Sequence, residues 1–186
     1  MMGKKRKAVF LDRDGVINRA IIKNDRPYPP SHVDEIQIPE DVPPALHELK
    51  KAGFLLIVVS NQPDVARGTQ RRENVEAIHA ALLGALPLDG IFVCYHDDGD
   101  GCSCRKPLPG LLYQAADCYS IDLSSSFMVG DRWKDIEAGQ RAGCTTILMD
   151  RPYAEREPSP PPHYRVKLLS EAAAYILNHP QGGKIH

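Results

Sequence analysis

Short apolar runs alternate with longer amphipathic stretches along most of the chain. The runs Lys7–Leu11, Phe54–Val59, Ile91–Val93, Phe127–Val129 and Thr145–Met149 read as strands. Phe54–Val59 is apolar throughout, as a strand covered on both faces should be. A helix is predicted from Pro43-Pro44, a pair suited to a first helical turn, with Ala45, Leu46 and Leu49 on its apolar face and Gly53 as its stop. A second, from about Arg71 to Leu86, carries the stripe Val75, Ile78, Leu82 and Leu86. Gly110–Cys118, opened by Pro109, and Lys134–Ala142, stopped by Gly143, read as two more. Tyr164–Leu168 and Glu171–Leu177 read as a last strand and helix. Residues 19–40 read as a long loop, because Pro27, Pro29, Pro30 and Pro39 interrupt any regular element. Pro158–Pro162 reads as a surface connection, and no internal repeat is visible. Strands alternating with helices predict a parallel sheet with right-handed crossovers. The expected fold is a three-layer, Rossmann-like α/β domain spanning 1–186, with its core in 7–150 and a closing strand and helix in 151–186.

Composition agrees and narrows the class. The 186 residues suffice for one domain with a proper core, and 42% apolar with 25% charged residues fits a globular protein. The net charge of −1 favours neither nucleic acid nor a membrane surface. No apolar stretch approaches the roughly 20 residues of a membrane span. The basic start, Gly3-Lys4-Lys5-Arg6-Lys7, is not followed by a signal-peptide core, because Asp12 and Asp14 interrupt the apolar run. A cytoplasmic monomer is expected.

The strand ends hold the chemistry. In open parallel sheets, ligands bind beyond the carboxyl ends of the strands. There the first run meets Asp12-Arg13-Asp14-Gly15, the second Ser60-Asn61-Gln62, the third the segment to Arg105-Lys106, and the fourth Gly130-Asp131, with Asp135 four residues on. Asp12 and Asp14, two apart, point to one side of an extended chain. One carboxylate can bind Mg²⁺, a hard cation that prefers oxygen; the other can attack phosphorus or carry a proton. Ser60 and neighbouring N–H groups can cradle phosphate oxygens. Lys106 supplies a point charge to offset phosphate repulsion, and Arg105 could fork onto a second anionic group. Asp131 is the candidate third metal carboxylate. Asp135 either orients it, pairs with Lys106, or caps a helix. Trp133 reads as rim packing.

Of five cysteines, three cluster with a histidine: Cys94, His96, Cys102 and Cys104 make four soft ligands in eleven positions. Three thiolates and an imidazole form a closed structural Zn²⁺ set that would staple a polar, Gly-rich loop just before Arg105 and Lys106. Cys118 and Cys144 read as core residues.

With these elements present in order, the chain resembles the haloacid dehalogenase superfamily of phosphatases, on VFLDRDGV, VVSNQ, RKP and MVGDRWKDIEAG. The resemblance implies Asp12 as nucleophile and Asp14 as general acid and base. It implies Mg²⁺ held by Asp12, the Asp14 backbone carbonyl and Asp131, with Ser60 and Lys106 on the transferring phosphate. It also implies an open site without a large cap domain. The cysteine loop is similar to that of two related groups, the heptose 1,7-bisphosphate phosphatases and the histidinol-phosphate phosphatases. Its His96–Cys102 gap looks more like the second group. SNQPDVARG and CRKPLPGLL look more like the first, with departures at Pro63-Asp64 and Arg132. A sugar bisphosphate is therefore the expected substrate, met by Ser60, Asn61, Gln62, Arg105, Lys106 and Arg132, with Arg67 as a further candidate. Histidinol phosphate, which would use Asp97, Asp98 and Asp100, is the alternative. A non-catalytic zinc-stabilised binding module is opposed by the intact Asp12, Asp14, Lys106 and Asp131 set, and a nucleic-acid-end phosphatase by the near-neutral charge.

Overall fold

Strand β1 (Ala8–Leu11) is completely buried, and its successive residues face opposite layers of helices. Val9 and Leu11 pack with α1 (Val42–Lys51), α2 (Arg72–Ala85) and α5 (Leu169–Asn178); Ala8 and Phe10 pack with α3 (Gly110–Tyr119) and α4 (Trp133–Ala142). The structure is a computed structural model that describes residues 5–153 and 155–179. Around β1 lie β4 (Leu55–Asn61), β5 (Gly90–Cys94), β6 (Phe127–Gly130), β7 (Thr145–Met149) and β8 (Tyr164–Val166), in the order β5-β4-β1-β6-β7-β8. Every pairing in this sheet is parallel. The strand order reverses at β1, so a crevice opens beyond its carboxyl end. No helix among the described residues is long and apolar enough to cross a membrane.

The expected elements are present with small shifts at their ends. β4 runs two residues past its apolar stretch, and Ser60 and Asn61 pair with Val93 and Cys94 of β5. They are thereby held in the sheet rather than in a turn. Residues 19–40 depart from expectation. Instead of an irregular loop, they contain an antiparallel hairpin, β2 (Ile21–Lys23) and β3 (Arg26–Tyr28). Its two-residue turn, Asn24-Asp25, has both φ values positive, 50° and 57°, the geometry that Asn and Asp tolerate in tight hairpins. Pro27 is accommodated because a two-stranded ribbon leaves half of its N–H groups unpaired. Cys118 is a second departure: it faces solvent, to one side of the buried stripe of α3, while Cys144 is buried as expected.

The amino end of β1 is anchored by a side chain. Ser126, fully buried, accepts from the Ala8 N–H at 3.0 Å and donates to the Asp122 carbonyl at 2.6 Å. Ser126→Ala leaves a buried donor unpaired. It is expected to cost about 1–3 kcal/mol in urea unfolding, with the slope of the transition unchanged. An unaltered midpoint would show that this anchor is dispensable.

Candidate active site

Lys106 is the hub of the crevice. Its ammonium is 2% exposed and spends all three protons: on Asp12 Oδ1 at 2.7 Å, Asp135 Oδ1 at 2.6 Å and the Val59 carbonyl at 2.7 Å. The side chain thus draws together the ends of β1, β4 and β6. Burial alone would lower its pKa, but the two carboxylates outweigh burial and hold it above the ordinary lysine range. Asp12 is pushed up to about 6 by burial, an effect that Lys106 offsets only in part and the charge of Asp135 reinforces. Asp135 both pairs with Lys106 and caps α4, its Oδ2 accepting from the Arg132 N–H at 3.1 Å.

Asp131 is the uncompensated member. Both of its carboxylate oxygens are buried without a hydrogen bond of good geometry, although the Tyr153 hydroxyl lies close enough to favour the charged form. Burial, followed by the charges of Asp12 and Asp135, raises its pKa well above the ordinary value. Oxygens of Asp12, Asp131 and Asp135 lie within 4.8 Å of one another. Three carboxylates around one ammonium leave an excess of negative charge in a poorly solvated site. A small dication with oxygen preference fits this donor set. Gly15 is required beside it: a Cβ there would lie 1.8 Å from Asp131 Oδ2, and its φ of +92° suits glycine alone.

Asp14 reaches the same crevice, but through a turn rather than by continuing the strand. Arg13 Nε and Nη2 donate to it at 3.0 and 2.8 Å, Asn18 Nδ2 at 3.2 Å and Gln62 Nε2 at 3.1 Å. Gln62 also donates to Ser60 Oγ at 2.9 Å, so one amide joins the two side chains. Asn61 clamps the backbone of Lys106, donating to its carbonyl at 3.0 Å and accepting from its N–H at 3.1 Å. Arg13 and His79 were not foreseen from sequence, yet Arg13 is fully buried with Nη1 2.9 Å from His79 Nε2. Their signals were present: Arg13 alternates with the two aspartates, and His79 stands next to Ile78 within an otherwise apolar helical stripe.

The crevice opens into a cleft of about 440 Å³ lined by Asp12, Asp14, Ser60, Asn61, Gln62 and Lys106 at its floor. Arg26, Tyr28, Arg67, Arg132 and Lys134 line its walls. Arg132 pairs with Glu155, and Arg67 forks onto Asp97 at 2.6 and 2.9 Å. Arg105 is turned away from the cleft: nearly buried, it donates to Asp98 Oδ1 at 2.7 Å and to the His96 carbonyl at 3.2 Å. Its guanidinium braces the cysteine loop. Trp133 is half-buried and stacks under Arg156 at 3.5 Å.

The ligand atoms of Cys94, His96, Cys102 and Cys104 converge within 4.8 Å. Cys94 Sγ lies 3.5 Å from His96 Nδ1, 3.7 Å from Cys102 Sγ and 3.1 Å from Cys104 Sγ, which is itself 3.4 Å from His96 Nδ1. A tetrahedral Zn²⁺ with ordinary bond lengths needs edges of about 3.4–3.8 Å, so this set can close on one with little movement.

Comparison with known proteins agrees with this geometry. Residues 103–172 match the HAD-hydrolase-like family model. The chain is 38% identical over 156 residues to the D-glycero-beta-D-manno-heptose-1,7-bisphosphate 7-phosphatase of Yersinia pestis, covering 77% of this chain and 80% of that one. It is likewise 38% identical over 162 residues to the corresponding enzyme of Escherichia coli strain K12, covering 81% and 82%. Among solved structures, the D,D-heptose 1,7-bisphosphate phosphatase of B. bronchiseptica, complexed with magnesium and phosphate, superposes with a TM-score of 0.79 at 29% identity, covering 93% of this chain and 99% of that one. Sheet order, acidic crevice and these likenesses together make the chain a member of the haloacid dehalogenase superfamily and a phosphoric monoester hydrolase.

Proposed function

We propose that this phosphatase removes one phosphate from a sugar bisphosphate of the heptose 1,7-bisphosphate type, the substrate named for its relatives. The observation that carries the chemistry is the buried Asp12–Lys106–Asp135 ion set beside the uncompensated carboxylate of Asp131. Asp12 attacks phosphorus: its Oδ–P bond forms as the bond from phosphorus to the sugar oxygen breaks. Asp14 gives its proton to the departing sugar oxygen. It then takes a proton from the water that attacks the aspartyl-phosphate, releasing phosphate and restoring Asp12. Ser60 donates to the phosphate oxygens, and Lys106, whose protons are held by Asp12, Asp135 and the Val59 carbonyl, offsets their charge. Asp12, the Asp14 backbone carbonyl and Asp131 would hold Mg²⁺. When bound, that ion supplies positive charge that lets a carboxylate approach a phosphate dianion.

The walls of the cleft support the bisphosphate reading. Arg26, Arg67, Arg132 and Lys134 line it, whereas Arg105 does not. The second phosphate is therefore assigned to the wall cations, with Arg105 holding the loop behind them. The histidinol-phosphate alternative needs acids from the loop, but Asp97, Asp98 and Asp100 do not line the cleft. We further infer a single uncapped domain acting as a monomer, with a structural Zn²⁺ on Cys94, His96, Cys102 and Cys104. The free cysteines suit a reducing, cytoplasmic setting.

Asp12→Asn is expected to abolish phosphate release from heptose 1,7-bisphosphate while the protein stays folded. Substantial turnover by a preparation shown by mass spectrometry to be free of deamidation would rule out the aspartyl-phosphate route.

Asp131→Asn is expected to separate stability from function. A carboxyl whose folded pKa is raised binds its proton more tightly folded than unfolded. Metal-free protein therefore loses stability as pH climbs from the ordinary 3.8 through about 6 at Asp12, and Asp131 acts in the same direction. Replacing Asp131 should raise the Tm of metal-free protein at neutral pH, remove the stabilisation conferred by Mg²⁺, and eliminate activity. Thermal melts with and without Mg²⁺ read all three; an Asp131→Asn protein still stabilised by Mg²⁺ would contradict the assignment.

Protein purified without added metal should contain one zinc per chain. Cys102→Ser should lose that zinc and several degrees of Tm. Unchanged zinc content by elemental analysis would remove Cys102 from the ligand set.

A further inference from the structure

Arg13 sits between the two catalytic aspartates, yet it is fully buried and directs its guanidinium at Asp14 and His79. Its Nε and Nη2 fork onto Asp14, while Nη1 lies 2.9 Å from His79 Nε2. An arginine has no acceptor, so His79 Nε2 must accept, and the imidazole is neutral with its proton on Nδ1. Burial, together with the neighbouring Arg13 charge, lowers the His79 pKa to about 4, which keeps it an acceptor around neutral pH. His79 belongs to the buried face of α2 with Val75, Ile78 and Leu82. A leucine at this position would extend that apolar stripe and leave Nη1 without its acceptor.

The connection continues beyond Asp14. Gln62 Nε2 donates to Asp14 Oδ2 and to Ser60 Oγ, so an unbroken set of hydrogen bonds runs from α2 through Arg13 and Asp14 to the end of β4. Within this set, His79 is carried by a packed helix, whereas Asp14 lies on a turn, its side chain 15% exposed. We propose that His79 is a positioning residue for the hydrolysis: acting through Arg13, it fixes where the Asp14 carboxylate stands relative to the ester oxygen. This rests on the reading of Asp14 as general acid and base. Misplacement of such a group by about an ångström is enough to cost up to a hundredfold in rate.

The test compares two phosphate esters, heptose 1,7-bisphosphate, whose leaving alkoxide needs a proton, and 4-nitrophenyl phosphate, whose leaving phenolate does not. Ester cleavage is followed in single turnovers with enzyme in excess, so that hydrolysis of the aspartyl-phosphate does not enter. His79→Leu is expected to slow cleavage of the sugar ester roughly ten- to hundredfold, with little change in its binding and a much smaller loss on the aryl ester. His79→Gln, whose amide oxygen can accept from Arg13, should recover most of the rate. If His79→Leu does not accumulate folded, Arg13→Lys keeps the buried charge, removes the fork, and should give the same leaving-group-dependent loss. Equal losses on both esters, no loss, or no recovery in a folded His79→Gln protein overturn the inference alone. A wild-type protein that cleaves neither ester overturns the phosphatase reading and this inference with it.

Discussion

One buried ammonium organises the active end of the molecule. Lys106 carries no net hydrogen-bonding capacity to spare: its three protons satisfy a carboxylate after β1, the carbonyl of Val59 in β4 and a carboxylate at the start of α4. Breaking such a buried set by removing one partner leaves an uncompensated charge in low dielectric, among the costliest local errors a fold can make. The separation of the strand ends, and so the width of the crevice, is set by that requirement. The sheet supplies rigid ends; Lys106 fixes their registry.

That requirement passes the constraint outward to the cysteine loop. Lys106 follows Cys104 by two residues, and its backbone is gripped on both sides by Asn61. Arg105 braces the same segment from behind through Asp98 and the His96 carbonyl. A loop of this length, rich in Asp and Gly, has almost no apolar surface of its own to bury, so its shape must come from polar links. The convergence of three sulfurs and one imbalanced acid cluster nearby follows one logic: charges and soft ligands are held in place by protein geometry that metal ions would complete.

The carboxylates illustrate how function opposes stability. Asp12 and Asp131 are buried close to Asp135, and burial raises the pKa of both, Asp12 to about 6. An apolar trio of the same volume would fold more readily. The strain is local and is supported by an otherwise conventional interior, in which β1 and most of β4 are fully buried between two helical layers. The Asn24-Asp25 hairpin, the Arg67 segment and the Arg132–Glu155 pair stand over the cleft, outside that interior.

The sequence by itself determined the parallel α/β layout, because fully apolar strands alternating with one-faced helices admit few other arrangements. It also determined that Asp12, Asp14, Ser60, Lys106 and Asp131 share a rim, since each stands at or beyond the carboxyl end of a strand of one parallel sheet, and that four soft ligands cluster. The hairpin was hidden by Pro27, whose effect on an isolated ribbon is small. Only the tertiary structure decided which way long side chains turn. Arg105, adjacent to Lys106 in the chain, points into its own loop, while Arg67 and Lys134, distant in sequence, line the cleft. Arg13 and His79, separated by 66 positions, meet because the end of β1 packs against α2. Periodicity fixes the face on which a residue lies; which partner waits there depends on the packing of elements far apart in the chain.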